Sequence, residues 1–251
     1  MRVLFILLSK ELKSIFWSPV AYAVLTIFLL IGGVAFYYAV ETLSLEPSEF
    51  SVLQAFFLFG LFWFAFLPVF PLITMRLFSE EYKLGTMETL LTAPVRDWQV
   101  VAAKFLSAMG FYLLLILPLF SYFHIFYWIS GQRAVDSNAA YLGTVLVMTL
   151  CGMFYISLGC LASALTRNQI VAAILGFAMI CAFFFSGFFA HYSMQISSRH
   201  RDVIAYFSTI DHIYEFSRGM FDTRPLVFYL SATIFTLALT LHVFQYRKWR
   251  S

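Results

Sequence analysis

The chain has 251 residues, of which 62% are hydrophobic and only 12% are charged. A soluble domain carries about twice that charged fraction and needs polar surface around its core, so this composition excludes a soluble globular enzyme. The same apolar content excludes a disordered chain, and a net charge of +3 is too small to predict binding to nucleic acid. The remaining class is a multi-pass membrane protein.

Residues 1–18 are too charged to cross a membrane, but they carry an apolar stripe at helical spacing. Leu4, Leu8 and Leu12 fall on one face of a helix. Glu11 lies near the edge of that stripe. The pattern predicts an amphipathic helix that rests on the inner leaflet. The alternative is a helix that extends the first span into the cytosol.

Continuous apolar runs predict the spans, because a helix needs about 20 apolar residues to cross the hydrocarbon core. Six segments reach that length without Asp, Glu, Lys or Arg, and they are residues 20–40, 52–75, 105–128, 139–164, 170–190 and 226–244. Lipid offers no partner to free backbone groups, and the runs lack the alternation of barrel strands, so we predict an all-α bundle. Gly152 and Gly159 in the fourth span predict close helix packing, either within one chain or between two.

Basic residues predict the orientation of the spans. Every Lys lies near the start, in the tail, or in residues 76–104 between the second and third spans. The connection between the first two spans carries Glu41, Glu46 and Glu49 and neither Lys nor Arg. This asymmetry predicts that both termini face the cytoplasm.

Residues 76–104 form the most informative cytoplasmic connection. Gly85 ends a predicted helix that carries Glu80 and Glu81, and Pro94 ends a second, shorter helix. The apolar face of this second helix consists of Met87, Leu90 and Leu91. An apolar face in a cytosolic loop must rest on lipid headgroups or on another protein, and the residues alone leave both interpretations open.

Residues 191–225 form a long connection on the outer side. Apolar residues at helical spacing predict short re-entrant helices that dip into the outer leaflet without crossing it. The connection also carries an acidic and histidine-containing group, namely His200, Asp202, Asp211, His212 and Glu215. A metal or hydrolytic site is one interpretation of this group, and solvated side chains that pair locally at headgroup level are the favoured one.

Motifs for several chemistries are missing from the sequence. It contains no G-x-x-x-x-G-K-[ST] loop, no G-x-S-x-G and no H-E-x-x-H, so the chain by itself has no recognised means of cradling a nucleotide phosphate. The three cysteines lie in apolar runs without a C-x-x-C pair, which is typical of small buried side chains. We predict no catalytic residue, no metal and no cofactor in this chain.

One segment is specific enough to carry a family resemblance. Residues 80–94, EEYKLGTMETLLTAP, resemble the E-E-x-x-x-G-T-x-E-x-L-L-x-x-P motif of the permease subunits of type-2 ATP-binding-cassette (ABC-2) transporters. The resemblance implies that this segment, the coupling segment, contacts a separate ATPase subunit. Its matching positions are Glu80, Glu81, Gly85, Thr86, Met87, Glu88, Leu90, Leu91 and Pro94.

A second segment, before the last span, is similar to the corresponding part of the gliding-motility-associated (Gld-type) permeases of that family. Its matching positions, which we predict to form an outer re-entrant motif, are Asp211, His212, Phe216, Arg218, Gly219 and Asp222. The opening Lys10-Glu11-Leu12 and Ser18-Pro19 also fit, so the resemblance covers essentially the whole chain.

The resemblance implies a fold, partners and a location. The fold is that of a type V exporter, with an N-terminal elbow helix (1–18), six spans, a cytosolic coupling helix (80–94) and outer re-entrant helices (191–225). ATP and Mg²⁺ would be bound by ATPase subunits, and two permease copies, identical or different, would assemble with them in a bacterial inner membrane. An auxiliary membrane protein with a large outer domain often accompanies Gld-type permeases.

Three functional hypotheses follow from these observations. The first is a permease that couples ATP hydrolysis by its partner to export or extraction of a substrate; spans without charge favour a lipidic or amphipathic one. The second is a mechanotransmission subunit that drives an outer partner protein without moving a substrate. The third, which the sequence favours least, is a membrane enzyme that uses the outer histidine and acidic residues.

Overall fold

The helices account for all regular structure in the part of the chain that is described. The structure, a computed structural model, describes residues 2–45, 50–58, 60–86, 95–131, 134–192 and 206–248. In chain order the helices are α1 (Arg2–Phe16), α2 (Pro19–Leu45), α3 (Val52–Leu58), α4 (Gly60–Thr74), α5 (Ser79–Leu84), α6 (Asp97–Ser130), α7 (Asn138–Leu165), α8 (Gln169–Tyr192), α9 (Thr209–Ser217) and α10 (Thr223–Lys248). Six helical segments are long and apolar enough to cross a membrane, which confirms the predicted all-α membrane fold.

The spanning helices divide into an inner and an outer group. In α7, 78% of the apolar stretch is buried inside the bundle, and in α6 the share is 67%. The corresponding shares are 28% in α2 and 22% in both α8 and α10. The exposed sides of the outer helices carry large apolar residues, which in water would be unfavourable. The chain is therefore a multi-pass membrane protein arranged around α7.

Glycines in α7 allow two neighbouring helices to approach it closely. A Cβ atom on Gly152 would lie 2.1 Å from the ring of Tyr112 in α6, and one on Gly159 would lie 2.1 Å from Thr74 in α4. The Tyr112 hydroxyl donates a hydrogen bond of 2.8 Å to the carbonyl oxygen of Met148. The close packing predicted for the fourth span is therefore made, at both glycines, within one chain.

The predicted second span, residues 52–75, contains α3 and α4, and residue 59 between them lies outside the described residues. The indole nitrogen of Trp63 donates to the carbonyl oxygen of Phe57, which lies in the last turn of α3. Gln54 in α3 is buried and donates to Asp136 at 3.3 Å. A continuous apolar run does not reveal where α3 packs, because the contacts that support α3 come from a connection about 80 residues further along the chain.

The amphipathic helix α1 packs lengthwise against the first part of α6. Its buried positions include Leu7 and Glu11, with exposed fractions of 8% and 7%. Phe5 and Ile6 are instead largely exposed, so α1 presents apolar surface on a second side as well. Glu11, which we expected near the edge of the apolar stripe, lies in the packed face because a cation of α6 meets it there.

Candidate functional site

Four charged residues form a cluster where α1, α5 and α6 meet, and we call this cluster the charged junction: Lys10, Glu11, Glu81 and Lys104. The ammonium nitrogen of Lys104 lies 2.8 Å from Glu81 Oε2 and 3.2 Å from Glu11 Oε2. Lys10 Nζ donates to Glu81 Oε1 at 3.1 Å and lies 3.6 Å from Glu11. Each carboxylate therefore faces two ammonium groups, and the junction ties three helices together.

The interior of the junction is shielded from solvent. The side chain of Lys104 is only 1% exposed, and those of Glu11 and Glu81 are 9% and 15% exposed. Burial by itself lowers the pKa of Lys10, but the carboxylates of Glu81 and Glu11 outweigh this effect and raise it. Each buried side chain of the junction has an oppositely charged partner within 3.6 Å, which matters because a buried charge without a partner is costly.

A break between α4 and α5 places Glu81 in the junction. Residues 75–78 form a turn rather than a continuous helix. Ser163 of α7 stabilises this turn, because its hydroxyl accepts hydrogen bonds from the backbone nitrogens of Phe78 and Ser79 at 3.1 and 3.2 Å. The same hydroxyl donates to the carbonyl oxygen of Met75 at 3.1 Å. The short helix α5 is therefore fixed to the central span.

The described part of the coupling segment, residues 80–86, comprises most of α5 and the residues that follow it. Gly85 ends α5 with φ 71°, a left-handed conformation that glycine adopts without steric cost. Thr86 follows and is exposed. The other predicted coupling positions, Met87, Glu88, Leu90, Leu91 and Pro94, lie outside the described residues. The described part of the coupling segment is thus the helix that Ser163 holds against α7 and the glycine turn that ends it.

A separate group of buried hydroxyl and imidazole side chains lies between α7, α9 and α10. We call it the tyrosine network, and its members are Tyr155, Thr209, His212 and Tyr229. Tyr155 Oη and Thr209 Oγ1 are 2.9 Å apart, and His212 Nδ1 lies 3.1 Å from Tyr229 Oη. Tyr229 also donates to Thr209 at 3.4 Å. The network attaches α9 to α7 and to α10.

The predicted re-entrant motif consists largely of residues that shape α9 and its end. Phe216 is fully buried, and its ring packs against the backbone of Gly143 in α7. Gly219 has φ +80°, and its nitrogen donates to the carbonyl oxygen of Phe216 as the chain turns out of the helix. The Arg218 guanidinium lies 4.6 Å from the ring centroid of Tyr214, and Asp222 accepts from the backbone nitrogen of Arg224.

His212 differs from the favoured sequence interpretation of a solvated residue. It is only 6% exposed and packs edge-on against Tyr229, with ring centroids 5.6 Å apart. Within the described residues, no group of three or more His, Cys, Asp or Glu side chains is placed to hold a metal ion. His200 and Asp202 of the sequence-predicted group lie outside the described residues.

The sequence positions therefore fall into two separate sites. Glu81 joins a cluster whose other members, Lys10, Glu11 and Lys104, were not predicted as site residues. The sequence did contain a signal for two of them: Glu11 borders an apolar stripe and Lys104 immediately precedes an apolar run, and a charge in either position can be buried when helices pack. In the tyrosine network, His212 was a predicted site residue, but Tyr155, Thr209 and Tyr229 had no such signal, since they lie in three separate segments of the sequence.

The pH dependence of stability tests the burial of His212. Burial lowers its pKa from 6.5 to about 4, although Asp211 and Asp222 favour the charged form. Above pH 6.5 the imidazole is neutral in both states; below it, the unfolded chain binds the proton more readily, so stability is lost as the pH falls toward about 4. The loss attributable to this group is at most about 3 kcal/mol.

We expect the thermal midpoint of the purified protein to fall over this interval, and to fall less in His212→Asn, which cannot be protonated. His242→Asn, at an exposed position of α10, is the matched control and should keep the wild-type pH dependence. Identical pH profiles for wild type and His212→Asn would show that the imidazole is not buried in this way.

The fold and the charged junction together define a class of protein. It is a helical membrane protein whose amphipathic first helix, α1, is joined by ion pairs to α5, a short helix that does not cross the membrane. The sequence pattern of the ABC-2 family transporter proteins matches residues 5–249, nearly the whole chain. The chain belongs to this family. A comparison with curated proteins gives no match.

Family membership determines the general role of the chain. It is a permease subunit of an ABC transporter, a membrane transport component that is not itself catalytic, and it associates with ABC ATPase subunits that carry the ATPase activity. The resemblance to ABC-2 permeases is therefore confirmed, and the resemblance to the Gld-type subfamily stays a prediction.

Proposed function

We propose that this permease transmits ATP-driven movements of its ATPase partner from the coupling segment, through the charged junction, to the elbow helix α1 and to α6. The observation that carries the proposal is the position of Glu81. It lies in α5, at the start of the coupling segment, and it forms ion pairs with Lys10 of α1 and Lys104 of α6. A displacement of α5 must therefore move or break these contacts.

The orientation and assembly belong to the same proposal. The end that carries α1 and α5 faces the cytoplasm of a bacterium, where ATPase subunits with bound ATP and Mg²⁺ grip the apolar face of Met87, Leu90 and Leu91. Two permease copies assemble with two ATPase subunits in the inner membrane. The distribution of Lys supports this orientation, because every Lys lies on the segments assigned to the cytoplasm.

The substrate is proposed to be lipidic or amphipathic and to be exported or extracted from the membrane. The support is chemical: the predicted spans contain no Asp, Glu, Lys or Arg, so they offer none of the usual relay groups for ions or protons. A Gld-type assembly with an auxiliary outer subunit is the finer form of the proposal, supported by the motif from Asp211 to Asp222.

The coupling role is tested by Leu90→Asp in the assembled complex. A carboxylate in an apolar docking face is costly to desolvate, so we expect loss of ATPase binding and of complex-dependent ATP turnover. Leu90→Met, which keeps the apolar character and volume, is the control and should retain both activities. Unchanged turnover in Leu90→Asp would overturn the coupling role.

The same complex separates transport from mechanotransmission. If the complex is a transporter, then after reconstitution in vesicles it should move a fluorescent lipid or amphiphile between leaflets when ATP is supplied. Leu90→Asp should abolish this movement. ATP turnover that needs an outer partner protein, with no such movement, would instead identify a mechanotransmission subunit.

A further inference from the structure

A cavity of about 510 Å³ opens beside the charged junction, between α1, the start of α2 and the end of α4. Its volume is in the range of pockets that hold small ligands or lipid headgroups. Most of the wall is apolar, with Ile15, Val24 and Ile73 among the residues that line it. Trp17 also lines the cavity and is 86% exposed. Trp favours the boundary between headgroups and acyl chains, so its position at the cavity favours a site at headgroup level.

The four residues of the charged junction also line this cavity, where they pair with one another. Two further charged side chains in the wall, Arg76 and Glu80, take no part in those pairs. Arg76 donates from Nη1 to the hydroxyl of Ser18 at 3.0 Å, but its Nε is buried and has no hydrogen-bond partner in the described part of the chain. Glu80 lines the same cavity and makes no ion pair with any described residue. The two are four residues apart, yet they do not pair, because residues 75–78 form a turn instead of helix.

We propose that this cavity binds a phospholipid with a zwitterionic, primary-amine headgroup, the chemistry of phosphatidylethanolamine. The lipid phosphate accepts hydrogen bonds from Arg76, and the lipid ammonium donates to Glu80. An acyl chain then runs along the apolar wall that Val24 and Ile73 provide. The site holds one free cation and one free anion within the described residues, and this headgroup supplies the complementary pair.

Other headgroups match these charges less well. A guanidinium is suited to phosphate because its N–H groups form a planar fork. A choline headgroup carries no N–H and cannot donate to Glu80, although its phosphate still reaches Arg76. A headgroup with only negative charge would meet Arg76 but would place no cation against Glu80 and would lie close to Glu81. The expected selectivity is therefore for the primary amine.

The bound lipid would touch α1, α2 and α4 at once, since all three line the cavity. It would satisfy the buried Nε of Arg76 and would fill the space between the elbow helix and the second span. This role concerns how the elbow helix is held, and it does not require that the ATPase grips the coupling segment.

The test measures lipids retained by the purified permease, by native mass spectrometry after incubation with equal amounts of phosphatidylethanolamine, phosphatidylcholine and phosphatidylglycerol. We expect the wild type to retain phosphatidylethanolamine preferentially. Arg76→Gln should reduce retention of this lipid about tenfold, the effect of losing a charge-assisted hydrogen bond. Glu80→Gln should abolish the preference over phosphatidylcholine while leaving phosphatidylcholine retention unchanged.

Lys83→Gln is the matched control, because Lys83 is exposed on the same helix as Glu80 and does not line the cavity; it should retain lipid as the wild type does. Equal retention of the three lipids by the wild type would overturn the proposal, and so would unchanged preference in Glu80→Gln, a variant that breaks no described contact. Leu90→Asp should leave lipid retention intact, so a failure of the coupling role is distinguishable from a failure of this site.

Discussion

Lys104→Met is expected to lower the free energy of unfolding by about 3–5 kcal/mol, the cost of breaking a buried ion pair by removing one partner. Methionine fills a similar volume, so the effect comes from charge and not from a cavity. Without the ammonium group, the carboxylates of Glu81 and Glu11 share Lys10 alone, and Lys10 lies 3.6 Å from Glu11. Denaturant unfolding in mixed micelles measures the loss.

Two further variants make this result specific to the charged junction. Lys104→Met combined with Glu11→Gln leaves the pair between Lys10 and Glu81 intact, at 3.1 Å, and should recover most of the lost stability. Lys13→Met removes an exposed Lys from α1, the helix that carries Lys10 and Glu11, and should change stability by less than about 0.5 kcal/mol. If Lys104→Met cost no more than Lys13→Met, the buried pairs would not hold the junction together.

Gly152→Ala is expected to destabilise the bundle by about 1–3 kcal/mol or more, the usual cost of overpacking a core. The new methyl carbon would lie 2.1 Å from the Tyr112 ring, so helix α6 or the ring must move. Tyr112 is fully buried, hydrogen-bonded to Met148 and packed against Phe70 with ring centroids 5.3 Å apart, which leaves the ring little freedom. The loss should appear as a lower unfolding midpoint.

Gly33→Ala is the matched control for this substitution. It is the same change within a spanning helix, but the nearest atom to the new Cβ is 3.8 Å away, an ordinary contact. It should be neutral or slightly stabilising, because alanine favours helix more than glycine does. Tyr112→Leu combined with Gly152→Ala should lower the free energy of unfolding by less than the sum of the single changes, because leucine is smaller than tyrosine and leaves room for the new methyl group. A neutral Gly152→Ala would show that α6 and α7 are not so closely packed.

The charged junction shows how one acidic residue of the predicted coupling segment contacts the rest of the bundle. The motif from Glu80 to Pro94 suggested that its acidic residues all lie near the ATPase. In the structure both Glu80 and Glu81 line the cavity beside the charged junction, but among the described residues only Glu81 forms ion pairs, with Lys104 and Lys10. Adjacent carboxylates therefore have different surroundings, because successive residues of a helix point about 100° apart. Of the two, Glu81 connects α5 to the rest of the bundle.

The sequence predicted the membrane class and the number of spans because lipid imposes strong and simple constraints. A backbone in hydrocarbon must be helical, and each crossing needs a long apolar run, so both features can be read from composition along the chain. The turn at residues 75–78 and the packing of α3 could not be predicted in this way. Both depend on partners elsewhere in the chain, Ser163 for the turn and Ala134 and Asp136 for α3.

By itself, the sequence determined that this protein crosses the membrane as an α-helical bundle, and its EEYKLGTMETLLTAP segment indicated the ABC-2 family, which the match over residues 5–249 confirms. Only the tertiary structure decided which polar groups meet. Glu11 and Lys104 are 93 residues apart, and Tyr155 and Thr209 are 54 apart. Apolar spans carry almost no information about which faces pack together, since every face is apolar. The pairing of helices, and with it the charged junction and the tyrosine network, therefore emerges only when the chain is packed.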